Sequence, residues 1–437
     1  MQVTEVRFGA FKSLYDVTCS LDRFTVITGP NGAGKSNLVD ALNFLGEVYG
    51  DGLEFAVGRS GGYDNIAHRR TRRAKRPVSV SVEIKITPDD LRSLPRNYPW
   101  MRNAVPPEGM DVTLYFRHEF TLGTATQSIV SDFEVAAEFF EVLDDKRRPL
   151  IRVDRSKEGR AIVSMPRPRA KLMPFIREAL DPFTDTRFSE FLGERAMRST
   201  SLLSDQFSYS GLFSDIKSAL SGTSVFQLSP FQCRNSGVPT PNAVLERHGE
   251  NLPGAANHLR RNDAAAWRRV QAAMRAIMPG LQEIDIAYTE DRRLALQFRE
   301  HGVGRPWNTN EVSDGTVQSL ALFIALFDRR HPLLVIEEPE NSVHPWILRR
   351  IVDLCQDGES PKQIIMTTHS PVLLNYVNPA VVRLMSIKSG RSSIAPFLDF
   401  SSDLRDMIVD GRLSVFDAYD SGAVEQALPR GLVEDVE

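Results

Sequence analysis

The spacing of hydrophobic and polar residues predicts a strand, a tight turn and a helix near the start of the chain. Residues 3–8 and 24–28 are rich in β-branched and aromatic side chains, and the second run breaks at Gly29-Pro30-Asn31-Gly32, which is typical of a turn after a strand. In residues 36–45 the apolar positions recur on one helical face. We therefore expect a strand followed by a helix that packs on a sheet.

The middle of the chain has a different pattern. Residues 78–84 (VSVSVEI) alternate apolar and polar side chains, which predicts antiparallel strands with one solvent-exposed face. Similar short runs occur at residues 112–116, 133–142 and 161–163. Pro166 begins a segment, up to about Pro279, that is predicted to be mainly helical and that includes one apolar helical face with Trp267. We expect an antiparallel β-lobe followed by a helical lobe.

The last third of the chain alternates predicted strands and helices, which indicates a parallel sheet. The predicted elements are a helix over 317–327, a strand over 333–336, a helix over 347–354 and strands over 364–367 and 381–387. The predicted fold is α/β with a split parallel-sheet core, an antiparallel β-lobe and an inserted helical lobe. The predicted domains are the N-terminal half of the core with the β-lobe (1–165), the helical lobe (166–280) and the C-terminal half of the core (281–437).

Composition narrows the classes of protein. The chain has 437 residues, of which 42% are hydrophobic and 25% charged, as in an ordinary soluble globular protein. Its three cysteines (Cys19, Cys233 and Cys355) are far apart, which argues against a disulfide framework or a zinc site and favours the cytoplasm. We expect neither a membrane span nor a signal peptide. A net charge of -3 means that nucleic-acid binding would depend on local basic patches.

The segment Gly29-Pro30-Asn31-Gly32-Ala33-Gly34-Lys35-Ser36 predicts a phosphate-binding loop. Glycines let backbone amides surround phosphates, Lys35 reaches the β- and γ-phosphates, and the Ser36 hydroxyl binds Mg²⁺. The alternative is a glycine-rich turn without a ligand, but the position between a predicted strand and a predicted helix favours the loop. The predicted ATP-binding residues here are Asn31, Gly32, Ala33, Gly34, Lys35, Ser36 and Asn37.

The segment Leu333-Leu334-Val335-Ile336-Glu337-Glu338-Pro339-Glu340 places adjacent acids at the end of a buried strand. Successive side chains of a strand point in opposite directions, so the two acids can have different roles. We expect Glu337 to hold Mg²⁺ and Glu338 to position or deprotonate the attacking water. Two solvated acids at a strand end are the alternative, which the presence of a phosphate-binding loop disfavours.

In this order, GPNGAGKSN, Ser313-Asp314-Gly315-Thr316, VIEEPE and Thr367-Thr368-His369-Ser370-Pro371 resemble the motifs of ABC-type ATPase heads of the SMC and RecF group. The nearest resemblance is to the branch that includes the heads of the OLD nucleases and many ATPases of bacterial antiphage systems. The resemblance implies an ATP- and Mg²⁺-dependent ATPase that dimerises around two nucleotides, as a homodimer or a higher even-numbered oligomer.

The resemblance also assigns site residues. Ser313, Asp314 and Gly315 would form the signature motif, which contacts the nucleotide of the opposite protomer, although Ser313 would equally serve as a helix N-cap. His369 would contact the γ-phosphate, against the alternative of an ordinary histidine at a strand end. Residues 341–344 would run along the dimer interface. Lys12 and Ser13 would contact the nucleotide.

This sequence departs from the family pattern at several positions. Glu337 stands where aspartate is usual, and Asp314 stands where transporters carry glycine. We assign no residue as the glutamine that normally links the P-loop domain to the metal, because Gln227 is a poor candidate. The long separation of Ser36 from Ser313 disfavours a transporter subunit. The sequence lacks the long heptad array that would predict an SMC rod. The segment after His369 is too short for a fused nuclease domain, so we expect any nuclease or toxin to be a separate chain.

Basic residues are concentrated in a loop just before the predicted strand at residues 78–84, and a smaller group comprises Arg147, Arg148, Arg152 and Arg155. The main cluster suits phosphate contacts without base recognition, or it is simply a solvated turn. Its candidate nucleic-acid contacts are Arg69, Arg70, Arg72, Arg73, Lys75 and Arg76. Three functions stay open: an ATPase that acts on or senses nucleic acid in antiphage defence or repair, a nucleotide-gated scaffold for a separate effector, and, last, a transporter-like motor.

Overall fold

The protein consists of two compact units whose segments alternate along the chain. The first unit comprises Met1–Asp22, Gly32–Thr223 and Ser386–Ile394, and the second comprises Arg23–Asn31, Ser224–Met385 and Ala395–Glu437. These boundaries differ from the three predicted domains, which stay a prediction. The structure, a computed structural model, describes residues 1–68, 76–97, 111–124, 132–156, 159, 161–167, 173, 175, 199–201, 203, 211–357, 362–421 and 424.

An antiparallel sheet forms the centre of the first unit, with the strand order β2-β1-β4-β5-β6-β7-β8. The predicted β-lobe is therefore present, and the first strand of the chain belongs to it. Its strands are β1 (Gln2–Gly9), β2 (Val17–Ser20), β4 (Val78–Ile86), β5 (Leu114–Thr124), β6 (Phe133–Leu143), β7 (Pro149–Arg155) and β8 (Ala161–Ser164).

One face of this sheet is packed and the other is partly exposed. Along β5, buried residues alternate with half-buried ones, as the sequence pattern predicts. The packed face carries aromatic contacts, among them Phe140 with Phe213 at 5.2 Å between ring centroids. Helix α1 packs against α5 and α2. The helices of this unit are α1 (Lys35–Asp51), α2 (Leu53–Arg59), α3 (Tyr63–Ile66), α4 (Pro88–Asn97) and α5 (Gly211–Ser221).

A largely parallel sheet, most of whose strands belong to the second unit, joins distant parts of the chain. The strand order is β16-β15-β3-β14-β13-β9. β3 pairs in parallel with β14, with Thr25 opposite Ile365, and with β15, with Val26 opposite Val382. The parallel core is therefore split in sequence, as predicted. Its strands are β3 (Phe24–Thr28), β9 (Thr223–Phe226), β13 (Leu333–Glu337), β14 (Gln363–Thr367), β15 (Val382–Lys388) and β16 (Arg391–Pro396).

Burial explains why β3, and not β1, belongs to the parallel sheet. All residues of β3, β13 and β14 are buried, which is the pattern of strands covered on both faces. In β1, buried and partly exposed residues are mixed, so this strand fits a sheet with one solvated face. The parallel core thus begins at the second hydrophobic run of the sequence.

Helices surround this sheet and share one hydrophobic core. From Val317 to Phe327 every residue of α9 is buried, and the buried Trp267, Val270 and Met274 of α8 belong to the same core. The predicted apolar face of that helix is confirmed. The helices are α6 (Pro230–Cys233), α7 (Leu252–Asn262), α8 (Ala264–Ile277), α9 (Asp314–Phe327), α10 (Pro345–Gln356), α11 (Pro371–Tyr376), α12 (Ser402–Val409) and α13 (Val415–Asp420).

A small antiparallel sheet, which the sequence analysis did not predict, precedes α9. It has the order β10-β11-β12, and a turn in which Thr289 accepts from the Arg292 amide joins its first two strands. The alternation of apolar residues in IDIAY and LALQF is the signal that could have identified it. Its strands are β10 (Leu281–Tyr288), β11 (Leu294–Glu300) and β12 (Trp307–Asn308).

Candidate functional site

The glycine loop that was predicted to bind phosphate lies between β3 and α1, as expected. At its start, a side chain is excluded at Gly29, because a Cβ atom there would lie 2.0 Å from the Met385 carbonyl oxygen. Gly32 and Gly34 have φ values of 77° and 103°, a region that glycine enters without steric cost. A Cβ on Gly32 would meet nothing within 4 Å. The loop therefore combines a fixed start, an open middle and a helix N-terminus, which suits a phosphate group.

Two serines lie against the last glycine of the loop. A Cβ on Gly34 would lie 2.2 Å from the Ser392 hydroxyl oxygen and 2.8 Å from that of Ser13. The two hydroxyls are 2.8 Å apart, and Asn37 Nδ2 donates to Ser13 Oγ at 2.7 Å. The structure thus brings the predicted Ser13 and Asn37 together beside Gly34. Ser392 had no motif to mark it, since only the pairing of distant segments places it here.

Lys12 is held in a defined position in the same unit. Its Nζ lies 2.6 Å from Asp40 Oδ2 on α1, and its φ is 49°. The Lys12 amide donates to the Ile66 carbonyl at 2.7 Å, and its own carbonyl oxygen lies 2.6 Å from His68 Nδ1. The ammonium group is thus ion-paired with α1. Its contact with nucleotide stays a prediction, as do the roles of the buried Lys35 and of Ser36.

In the second unit, the two adjacent acids at the end of β13 have different surroundings. Glu337 is 7% exposed, and its Oε1 lies 3.0 Å from Arg247 Nη2. Glu338 adopts a φ of 47°, and its amide donates to the Thr367 carbonyl at 2.9 Å. The left-handed turn at Glu338 keeps its side chain accessible while Glu337 is buried. Glu338 lies just after the strand, so the left-handed turn, and not strand alternation, separates the two side chains, and their two roles stay a prediction.

The Glu338 carboxylate lies close to the predicted histidine. Glu338 Oε1 is 3.8 Å from His369 Nε2, and Glu338 Oε2 accepts from Asn341 Nδ2 at 3.0 Å. Glu338 and His369 line a cavity of about 420 Å³, together with Glu340 and Pro345. The fold therefore brings Glu338 and His369 together at adjacent strand ends, where the Glu338 side chain is 39% exposed.

Glu340 is a site residue that the sequence analysis did not assign. Its Oε1 accepts from Thr368 Oγ1 at 2.8 Å and from the His369 amide at 3.1 Å. Burial raises the pKa of Glu340, although the Thr368 hydroxyl partly offsets this effect. Glu340 thereby fixes the backbone that carries His369. The last acid of the EEPE sequence could have suggested such a role.

The predicted signature motif begins α9. Ser313 caps this helix, since its Oγ accepts from the Thr316 amide at 3.2 Å. Asp314 Oδ1 lies 2.6 Å from Arg234 Nη2. A Cβ on Gly315 would lie 2.7 Å from the Ser342 carbonyl oxygen, so glycine is required for the close approach of segment 341–344. The N-cap role of Ser313 is confirmed, and its role on a partner's nucleotide stays a prediction.

Arg247 reaches Glu337 from a segment that runs beside the residues after β9. The Gln227 amide donates to the Arg247 carbonyl at 2.9 Å, and the Ser229 amide donates to the His248 carbonyl at 3.0 Å. These main-chain bonds place Arg247 near the end of β13. No sequence signal pointed to this residue. Gln227 is exposed and remains unassigned.

The basic cluster falls mainly outside the described residues, since Arg69, Arg70, Arg72, Arg73 and Lys75 lie in the range 69–75. Arg76 is described, and its guanidinium lies 4.8 Å from the centroid of the Tyr15 ring. The second basic group is paired with carboxylates of the β-lobe. The pairs are Arg147 with Glu83, Arg148 with Asp144, Arg152 with Asp154 and Arg155 with Glu138.

The part of the chain that the structure describes contains no group of three or more histidine, cysteine, aspartate and glutamate side chains arranged to hold a metal. It also contains no helix with the length and hydrophobicity that a membrane span requires. The predicted Mg²⁺ ligands, Ser36 and Glu337, remain the candidates. A hydroxyl and a carboxylate are oxygen ligands of the kind that Mg²⁺ prefers.

The split parallel sheet, the glycine loop before α1 and the acids at the end of β13 are features of an α/β P-loop fold, and the predicted fold class is confirmed. The chain matches the family model described as "AAA domain, putative AbiEii toxin, Type IV TA system" over residues 24–95 and 134–375. It belongs to this family. None of the curated proteins matches the chain.

Solved structures of SMC heads are similar to this chain. An SMC head bound to the C-terminal winged-helix domain of ScpA is 14% identical, with 90% of this chain and 98% of that chain covered and a TM-score of 0.47. A head from Pyrococcus furiosus with an extended coiled coil, bound to the C-terminal domain of ScpA, is 14% identical, with 94% and 99% covered and a TM-score of 0.44. A Thermotoga maritima head is 13% identical, with 91% and 99% covered and a TM-score of 0.38.

Proposed function

We propose that this chain binds ATP with Mg²⁺ and hydrolyses it, and that two copies close around two nucleotides. The observation that supports hydrolysis best is the placement of Glu338, whose accessible carboxylate lies 3.8 Å from His369 Nε2. The family assignment and the glycine loop support nucleotide binding. The narrower resemblance to the OLD branch stays a prediction.

Each residue has a defined part in this proposal. The amides of residues 32–36 and the Lys35 ammonium bind the phosphates, while the Ser36 hydroxyl and the Glu337 carboxylate hold Mg²⁺. Mg²⁺ supplies the positive charge that balances the charge on the phosphates. Glu338 accepts a proton from the attacking water. His369 contacts the γ-phosphate, and Glu340 keeps the backbone of His369 in place.

We further propose that the ATPase acts on or senses nucleic acid in antiphage defence or repair. The basic cluster over residues 69–76 supports this role, since a run of arginines suits phosphate contacts. A second candidate is a nucleotide-gated scaffold that holds a separate nuclease or toxin. The ion pairs of Arg147, Arg148, Arg152 and Arg155 favour this candidate, because they reduce the positive charge that the lobe offers to nucleic acid.

Substitution of Glu338 and of Lys35 separates hydrolysis from binding. We expect Glu338→Gln to lower kcat by about 100-fold or more because the general base is lost, while a fluorescent ATP analogue still binds. We expect Lys35→Ala to abolish binding of that analogue. On the purified full chain, phosphate release measures kcat and fluorescence anisotropy measures binding of the analogue.

Glu290→Gln serves as the matched control, since Glu290 is an exposed acid in the turn between β10 and β11. It is expected to keep wild-type turnover. Wild-type turnover in Glu338→Gln would remove Glu338 from the role of general base. Absence of ATP binding by the wild-type chain would contradict the proposed function as a whole.

A further inference from the structure

Arg234 contacts the loop that leads into the predicted signature motif at several points. Its Nη2 donates to the Val312 carbonyl at 2.9 Å and lies 2.6 Å from Asp314 Oδ1, while its Nη1 donates to the Thr309 carbonyl. One guanidinium therefore spans the loop from Thr309 to the first residue of α9. Multiple bonds from a planar guanidinium fix both the position and the orientation of their acceptors.

The Arg234 side chain is anchored by the core of the second unit. It follows α6, which packs against α9, and the preceding Cys233 is fully buried in the core that also contains Val317 and Leu320. The Arg234 side chain is 18% exposed, whereas that of Asp314 is 62% exposed. The arginine is thus the fixed partner, and the loop is the element that it holds.

Bonds within the loop give it a second support. Arg305 Nη2 lies 2.6 Å from Glu311 Oε1, and the Asn308 amide donates to Glu311 Oε2 at 2.9 Å. These bonds close the turn over residues 305–311 but do not reach Asp314. Within the part of the chain that the structure describes, Arg234 is bonded both to this loop and to Asp314 from another element.

Charge gives Arg234 a further role. Asp314 occupies the first turn of α9, where Ser313 and the helix amides would face the phosphates of a partner's nucleotide. A carboxylate at that position would repel phosphate unless a cation compensates it. The guanidinium 2.6 Å from Asp314 Oδ1 provides that compensation.

We propose that Arg234 is the positioning residue of the signature motif: it orients the loop from Thr309 to Ser313 and neutralises Asp314, so that α9 can accept the γ-phosphate of the nucleotide on the opposite protomer. The proposal rests on the proposed function, in which two copies form composite sites. Arg234 itself acts through Ser313 and Asp314 and does not contact the nucleotide.

Removal of the guanidinium tests the proposal. We expect Arg234→Ala to lower kcat by about 10- to 100-fold, the range that the loss of charge-assisted hydrogen bonds gives, with little change in binding of the ATP analogue to the monomer. The double variant Arg234→Ala/Asp314→Asn is expected to recover part of the activity, because it removes the uncompensated carboxylate. Arg275→Ala is the matched control, since this exposed arginine also donates to a carbonyl, that of Gln282.

Mixed dimers distinguish a role in trans from a general defect. Arg234→Ala mixed with Lys35→Ala is expected to regain activity, since one composite site then has both an intact glycine loop and an intact signature motif. Arg234→Ala mixed with Ser313→Arg is expected to stay inactive, because both signature motifs are then impaired. The mixture of Ser313→Arg with Lys35→Ala is the positive control.

The outcomes separate the two proposals. If the positive control regains activity and the Arg234→Ala mixture with Lys35→Ala does not, the positioning role is overturned. If the positive control itself stays inactive in proven heterodimers, the composite-site function fails first. Should Arg234→Ala unfold, Arg234→Lys is used, which keeps the charge but loses the planar fork and is expected to show an intermediate kcat. An unchanged kcat in Arg234→Lys and in a folded Arg234→Ala overturns the proposal.

Discussion

At the scale of single residues, the imidazole of His331 is buried. Its Nδ1 lies 2.6 Å from the Ser224 hydroxyl oxygen, and its Nε2 lies 3.8 Å from Asp328 Oδ2. Burial lowers the pKa of His331 to about 4; Asp328 opposes this shift, whereas the charges of Lys362 and Arg330 add to it. The folded protein therefore favours the neutral imidazole.

This environment predicts a loss of stability in mild acid. Between the unfolded pKa of about 6.5 and the folded pKa of about 4, the unfolded chain binds more protons than the folded one. The contribution of His331 is thus fully present above pH 6.5 and falls as the pH decreases to 4. Urea unfolding at several pH values should show a shallower dependence in His331→Phe than in the wild type.

The control for this prediction is His301→Gln, because His301 is exposed. It is expected to keep the wild-type pH dependence. His331→Phe is expected to be less stable at pH 7.5, since Ser224 loses its partner, so the comparison concerns the slope with pH and not the absolute stability. An unchanged slope in His331→Phe would refute the prediction.

At the scale of elements, the segment that carries Arg247 stabilises the end of β13. The guanidinium lies 3.0 Å from the buried carboxylate of Glu337, and main-chain bonds to Gln227 hold the segment in register. A buried carboxylate depends on the cation beside it, since its desolvation is otherwise costly.

Arg247→Ala is expected to lower the free energy of unfolding by about 1.5–3 kcal/mol, the range for hydrogen bonds to charged groups. Mg²⁺ with a non-hydrolysable ATP analogue should stabilise this variant more than the wild type, because a cation bound by Glu337 replaces part of the lost charge. Thermal unfolding with and without the ligand measures both effects. Arg247→Lys is the control and should lose less stability. Equal stabilisation of Arg247→Ala and the wild type would argue against Glu337 as the metal ligand.

At the scale of the whole molecule, the two groups of arginines are expected to behave differently toward nucleic acid. The arginines of the second group already form ion pairs, such as that of Arg148 with Asp144 at 2.7 Å. For the cluster over residues 69–76, only the sequence supports a role. Polyanion binding through released counterions makes affinity fall steeply with salt.

Replacement of Arg69, Arg70, Arg72 and Arg73 by alanine is expected to weaken DNA or RNA binding about equally across sequences and to flatten its salt dependence, with basal ATPase activity unchanged. Anisotropy titrations in the presence of ATP at several salt concentrations measure this effect. Arg148→Ala and Arg152→Ala are the matched controls and should bind as the wild type does. If the wild type binds neither nucleic acid, the scaffold candidate gains over the nucleic-acid candidate.

The sequence by itself determined the elements whose pattern is local. The alternation in VSVSVEI predicted β4, and runs of apolar residues predicted β13 and β14. The glycines between a predicted strand and a predicted helix located the loop at Gly32 and Gly34. The spacing of motifs also predicted that the parallel sheet is split. Such features follow from the periodicity of apolar residues, from the residues that form turns and from the order of the strands, and all of these can be read from the sequence.

Only the tertiary structure decided which distant residues meet. Ser392 lies against Gly34, Arg247 against Glu337, and Arg234 against Asp314. In each pair the second residue belongs to a predicted motif and the first does not. The sequence around such a serine or arginine does not differ from that around other serines and arginines of surfaces and loops. Its role depends on which segments the sheet and the core bring together, and this pairing is a property of the packed chain because the stabilising contacts link residues far apart in sequence.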